Sequence, residues 1–144
     1  MEKTPDLEKF KKTILVVDDD PLILEVVSGI LRGQYNILSA NGGVQALQRS
    51  KDCKDAIDLL LSDFSMAGMT GIELATQITL ARPTIKVLLM SGFTEGMLVL
   101  NEGWHFLPKP FISSQLKTLI TNLLSPDLQS RFLAATEWQR KPCQ

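Results

Sequence analysis

The sequence predicts an α/β fold, a doubly wound five-stranded parallel sheet, and three observations predict it. Short apolar runs alternate with longer amphipathic stretches five times along the chain. The first, third and fourth runs are near-continuous aliphatics rather than alternating apolar and polar residues, as strands covered on both faces require. The chain has 144 residues, 44% of them hydrophobic, which suits one domain with one core. Right-handed crossovers between parallel strands then leave helices on both faces of the sheet.

Each element has its own local signal. ILVV (14–17) is a β-rich run that ends in Asp18, Asp19 and Asp20. Residues 21–32 place Leu22, Ile23, Val26, Val27, Ile30 and Leu31 at helical spacing. Asp20 is a cap acceptor before it, Pro21 suits the first helical position, and Gly33 is its terminator. YNILSA (35–40) reads as the second strand, and Asn41-Gly42-Gly43 opens a helix through about Lys51. AIDLLLSD (56–63) reads as the third strand. Residues 70–81 form a helix with Ile72, Leu74, Ala75, Ile78 and Leu80 apolar, stopped by Arg82-Pro83. IKVLLMS (85–91) is the fourth strand, and 94–101 leave room for a short helix only. WHFLPKP (104–110) is a fifth strand running into a turn. Residues 111–124 form an amphipathic helix through Ile112, Leu116, Leu119, Ile120 and Leu123.

Composition removes several function classes. Fifteen basic and 16 acidic residues give a net charge of −1, with no basic excess to meet nucleic acid. No apolar run approaches the ~18 residues of a membrane span. The polar start MEKTPDLEKFKK lacks the apolar stretch of a signal peptide. Cys53 and Cys143 show no metal-type spacing, and reduced thiols are expected of both. These features point to a cytoplasmic protein with no membrane contact.

The chemistry gathers where the strands end. In a doubly wound sheet, ligands sit beyond the C-terminal strand ends at the switch in strand order. The first strand supplies Asp18 and Asp19 there, the third Asp63, the fourth Ser91 and the fifth Lys109 before Pro110. Parallel strands lie ~5 Å apart, so these groups converge. Clustered carboxylates repel unless a cation offsets them, and hard oxygen donors at this density suit Mg²⁺. Metal, ammonium and hydroxyl together form a receptor for a phosphoryl group, with Asp63 as the nucleophile that becomes an acyl phosphate. Taken singly, Asp63 could be a helix cap and Lys109 mere turn chemistry; five groups in one cleft favour function. Asp20 reads only as a cap. His105, the sole histidine, reads as a surface or edge residue of the fifth strand rather than a phosphohistidine, and Met66 and Met69 read as packing for the loop.

VVDD (16–19), LLLSDFSMAGMTG (59–71), VLLMSG (87–92) and FLPKPF (106–111) together resemble the receiver domain of bacterial two-component response regulators, the chemotaxis-regulator type. The resemblance covers residues 12–124. It implies a flavodoxin-like strand order 2-1-3-4-5 and phosphorylation of Asp63 by a histidine kinase or histidine phosphotransfer protein. It also implies Mg²⁺ held by Asp19, Asp63 and the Ser65 carbonyl, with Asp18 acting through water. Ser91 would bond one phosphoryl oxygen, Lys109 would pair with another, and Phe106 would be the aromatic whose rotamer follows Ser91. Lys109-Pro110 would be a cis peptide. Three departures stand out: Ala67 follows Met66 where proline is usual, Phe106 replaces a frequent tyrosine, and the stretch from Ser91 to Lys109 is about one helical turn short. The fourth helix is therefore expected to be stunted. Gly92-Phe93 and FLPKPF resemble receivers of hybrid histidine kinases most.

The implied layout is a charged lead (1–11), a receiver domain (12–124) and a tail (125–144) that is helical to about residue 139. In the tail, Leu128, Phe132, Ala135 and Trp138 fall at near-helical spacing; that extra helix either packs on its own domain or anchors a partner or a second copy. The expected function is a phosphorelay switch, an acceptor that promotes only its own phosphorylation and dephosphorylation and docks to a downstream protein. Two other readings fit the same residues: a Mg²⁺-dependent phosphohydrolase with an aspartate nucleophile, and a pseudo-receiver that only binds.

Overall fold

The computed structural model describes residues 11–92 and 103–125 of the chain. Among the described residues the elements run in the order β1 (Thr13–Val17), α1 (Pro21–Leu31), β2 (Asn36–Ala40), α2 (Gly43–Asp52), β3 (Leu59–Asp63), α3 (Gly71–Ala81), β4 (Lys86–Ser91), β5 (Trp104–Pro108) and α4 (Ser113–Leu124). All strand pairs are parallel, and the sheet order is β2-β1-β3-β4-β5. The expected doubly wound fold and strand order are therefore present. The stunted helix between β4 and β5 and the extra C-terminal helix lie outside the described residues.

The core explains the aliphatic runs. Ile14, Val16, Leu59, Leu61, Leu88 and Met90 point to one face of the sheet, where α1 and α4 contribute Val27, Leu31, Leu116 and Ile120. The alternating set, Leu15, Val17, Leu60, Val87 and Leu89, points to the other face, against Ala46 of α2 and Leu74, Ala75 and Ile78 of α3. Central strands buried on both faces have no solvent side to make polar, so the pattern is continuous. The edge strands β2 and β5 are only half buried. His105 sits on edge strand β5, half buried, and its pKa is lowered by desolvation and by the nearby Lys86 charge.

Helix starts follow capping chemistry. The Asp20 carboxylate accepts from the Leu22 N–H at 2.9 Å, with Pro21 at the first helical position. Thr70 and Glu73 form a reciprocal capping box on α3, the Thr70 hydroxyl accepting from Glu73 N–H at 3.1 Å. Gly33 ends α1 with φ at +106°, a conformation glycine adopts without strain.

Three local readings change. Strand β3 begins at Leu59 rather than residue 56, and Asp58 just before it is pinned twice to Thr13: its N–H donates to the Thr13 carbonyl at 2.8 Å and its carboxylate accepts the Thr13 N–H at 2.8 Å. Arg82 does more than stop a helix. Its guanidinium donates to the carbonyls of Ser50, Cys53 and Asp55 at 2.6–3.0 Å and to the Ser50 hydroxyl, clamping the end of α2 to that of α3. A cation there also suits the negative end of the α2 dipole. Cys53 is disulfide-bonded, against the expectation of a reduced thiol; sequence spacing does not measure distance in space. The other cysteine of the sequence, Cys143, lies outside the described residues.

Candidate functional site

The switch in strand order falls between β1 and β3, and their ends carry the acids. Val17 lies opposite Ser62, so Asp18 and Asp19 emerge beside Asp63. Asp63 lies opposite Met90, and Ser91 opposite Pro108, so Ser91 and Lys109 continue the same rim. Backbone bonds seal it: Phe64 N–H donates to the Met90 carbonyl and Lys109 N–H to the Ser91 carbonyl, both at 2.7 Å.

Asp18, Asp19 and Asp63 each offer one oxygen, and these lie within 4.8 Å of one another. The hydrogen bonds divide each carboxylate in two. Asp18 Oδ1 accepts from the Asp20 N–H at 2.9 Å, whereas its buried Oδ2 has no hydrogen-bond partner. Asp19 Oδ2 accepts from the Ala67 N–H at 2.9 Å. Asp63 Oδ1 accepts from the Phe64 N–H at 3.1 Å and from the Lys109 ammonium at 3.0 Å. Each acid thus keeps a second oxygen with no donor among the described residues. Lys109 Nζ also lies 3.9 Å from Asp18 Oδ2.

Three negative charges meet one ammonium, and the imbalance is felt most by Asp18, whose side chain is 2% exposed. Burial, first, and the Asp63 and Asp19 charges raise its pKa; the Asp20 N–H and Lys109 pull it back. An acid with a raised folded-state pKa weakens the fold above that pKa, and the penalty fades as pH falls toward the unfolded value. In EDTA at neutral pH, Asp18→Asn is therefore expected to melt at a higher temperature than the parent protein. The gap should narrow by about pH 4.5, near the ordinary aspartate range. Equal melting temperatures at neutral pH would show that Asp18 carries no such penalty.

The orphaned, buried Asp18 oxygen and an all-oxygen donor set of excess negative charge fit a hard divalent cation such as Mg²⁺. Ser65, whose carbonyl the family resemblance implies as a further ligand, stands on the exposed loop after Asp63. Ser91 is 4% exposed at the end of β4. Phe106 is half buried on β5, its ring centroid 5.7 Å from that of Phe64, the residue after Asp63. Lys109-Pro110 is a cis peptide.

Sequence reasoning missed two contributors. The Ala67 amide reaches across to Asp19, and an alanine side chain advertises no donor. Gly71 at the start of α3 lies against the Asp63–Phe64 backbone, its N–H donating to the Phe64 carbonyl at 2.8 Å. The loop's two glycines were the available signal for such a close approach.

The sequence profile of the response regulator receiver domain matches residues 14–121. Sensor kinase CckA of Brucella abortus (strain 2308) is 30% identical over 128 residues, covering 86% of this chain and 14% of that protein. Transcriptional regulatory protein ZraR of Klebsiella oxytoca is 34% identical over 117 residues, covering 78% of this chain and 26% of that protein. The chain spans less than a third of the length of these curated relatives. Among solved structures, response regulator protein TrrA of Thermotoga maritima, in complex with Mg(2+)-BeF, superposes with a TM-score of 0.70. It is 30% identical, and the match covers 78% of this chain and 99% of that one.

Proposed function

This chain belongs to the response regulator receiver domain family of two-component systems, and on that premise we propose that it accepts a phosphoryl group on Asp63 and signals by the change that follows. The observation that carries the reading is the Lys109 ammonium at 3.0 Å from Asp63, inside a cluster of three converging carboxylates. The donor is a phosphohistidine of a histidine kinase or phosphotransfer protein. An Asp63 oxygen attacks phosphorus, the P–N bond breaks with its electron pair leaving on the imidazole, and an acyl phosphate remains on Asp63. Lys109 offsets charge on the transferring oxygens, and Ser91 donates its hydroxyl to one of them. Asp19, Asp63 and the Ser65 carbonyl would hold Mg²⁺, with Asp18 through water; the metal supplies charge neutralisation on the phosphoryl oxygens.

Phosphorylation then biases an existing equilibrium. Engagement of Ser91 draws the end of β4, and Phe106, in tilted ring contact with Phe64, follows. The chain acts as a signalling acceptor rather than a turnover enzyme. The receiver unit occupies 12–124, with 1–11 as lead and 125–144 as a tail, helical to about 139, that meets the domain, a downstream partner or a second copy. Among the described residues no helix is long and apolar enough to cross a membrane; the cytoplasmic setting is proposed on the family resemblance alone. A pull-down with and without beryllofluoride is expected to capture the downstream protein preferentially in one state.

A small acyl-phosphate donor tests the reading directly. With Mg²⁺ present, the protein should become labelled at Asp63 in an alkali-labile linkage, and EDTA should prevent it. Labelling that ignores EDTA would remove the cation from the mechanism.

A further inference from the structure

The contact between Ala67 and Asp19 is not explained by folding of the elements it joins. Ala67 is exposed, in the β3–α3 loop, and Asp19 is exposed, 48 residues earlier, just past β1. Their bond, N–H to Oδ2 at 2.9 Å, is nevertheless short and links the loop that carries Ser65 to one of the three clustered acids. The bond leaves Asp19 Oδ1 without a donor among the described residues, as Asp18 Oδ2 is left by the Asp20 N–H.

We propose that the Ala67 backbone N–H is a positioning group for the divalent cation, fixing the Asp19 carboxylate so that its second oxygen is presented to the metal. The inference rests on the reading of Asp18, Asp19 and Asp63 as a cation site. One bond does two things. It takes from Asp19 the rotational freedom that binding would otherwise remove, and it closes the loop 64–67 over the acids, bringing the Ser65 carbonyl along. Donors behind metal ligands commonly work this way. The usual proline of the resembled loop has no N–H, so this device belongs to the alanine found here. The bond to Oδ2 and a metal bond to Oδ1 use different lone pairs, so the amide stays bonded when the cation arrives.

Mg²⁺ titrations by calorimetry, on Ala67→Pro, Ala67→Gly and Ala67→Ser beside the parent protein, test this. Ala67→Pro removes the donor and should raise the Mg²⁺ dissociation constant about tenfold, the lower end of such effects because the pair is exposed. Ala67→Gly and Ala67→Ser keep the N–H and should bind within about twofold of the parent, the glycine losing slightly to loop entropy. Melts in EDTA separate a purely structural tether, which would lower the melting temperature of Ala67→Pro and leave its dissociation constant unchanged. Unchanged or tighter Mg²⁺ binding by Ala67→Pro overturns the proposal. A second measurement needs no variant: the Ala67 amide proton of the parent protein should stay protected from exchange when Mg²⁺ saturates the site, and loss of protection overturns the proposal equally. Failure of the parent protein to bind Mg²⁺ at all would instead remove the reading of the site itself.

Discussion

Asp63→Asn is expected to abolish labelling by phosphodonors, a drop on the order of 10³-fold or more, while leaving the fold intact. The substitution is isosteric. The asparagine carbonyl can take the place of Oδ1, accepting from the Phe64 N–H and from Lys109 as the carboxylate does. What it lacks is the negative oxygen that forms the new P–O bond, and an amide is a poor nucleophile. The charge balance predicts the direction of the stability change as well. Asp63 is a like-charge neighbour of buried Asp18, so its neutralisation relieves repulsion when no metal is present. Melting in EDTA should therefore be unchanged or higher, and any loss of labelling then reports chemistry rather than unfolding. Label retained within about tenfold of the parent rate, or transferred to Ser65 or Ser91, would move the nucleophile elsewhere.

The same protein separates the receiver from a phosphohydrolase. Both would lose activity with Asp63, but a hydrolase releases many phosphates per chain from a stable ester. A receiver takes one from a high-energy donor and holds it. Among the described residues the site offers, beside the acids, a lysine and a serine hydroxyl, and a hydrolase would need one of these groups to protonate its alkoxide leaving group. A phosphohistidine donor needs none, since imidazole leaves readily once protonated.

How much of this was legible beforehand varies residue by residue, for physical reasons. Ile14 to Val17 and Leu59 to Leu61 announce buried strands because neither face of a central strand meets water. Asp18, Asp19, Asp63 and Lys109 were legible because a charge at the end of such a run stands at the rim of the sheet, where ligands bind. The order β2-β1-β3-β4-β5 came from resemblance, since periodicity says which segments are strands and not which are neighbours. Contributions made by the backbone left no trace in side-chain chemistry: the Ala67 N–H on Asp19 and the Thr13 N–H on Asp58 are donors every residue type but proline has. Arg82 read as a stop signal because its three carbonyl partners, 27 to 32 residues away, exist only after folding. The pairing of Cys53 was hidden for the same reason.

Gly71→Ala is expected to cost more than any other single methyl added near the site. A Cβ at Gly71 would collide with the Asp63 carbonyl oxygen, and would stand 3.1 Å from Phe64 Cα and 3.2 Å from the Asp63 carbonyl carbon. These are backbone atoms held in place by Phe64 N–H on Met90 and by the β3 ladder, so they cannot rotate aside. Overpacking of this kind costs about 1–3 kcal/mol. Gly71 is the first residue of α3, so the helix-interior advantage of alanine over glycine, up to about 1 kcal/mol, offsets little of this, and the net loss stays within about 1–3 kcal/mol, several degrees in melting temperature. Gly43→Ala is the control. Its Cβ would meet Met69, with Sδ at 2.5 Å and Cβ at 2.9 Å; the sulfur can swing aside, and the Cβ gives way with a small shift of the loop that carries Met69, which leaves the Asp63–Phe64 backbone in place. The melting temperature should therefore fall less for Gly43→Ala than for Gly71→Ala. Function should separate the two further. Displacement of α3 at Gly71 pushes on the backbone that aims Asp63, and misplacement of a reacting group by about 1 Å can slow chemistry on the order of a hundredfold. Labelling of Gly71→Ala should therefore slow well beyond what its unfolded fraction explains, with Gly43→Ala close to the parent rate. Equal rates in the two variants would mean that α3 gives way without moving Asp63, and that the tight approach of Gly71 serves packing alone.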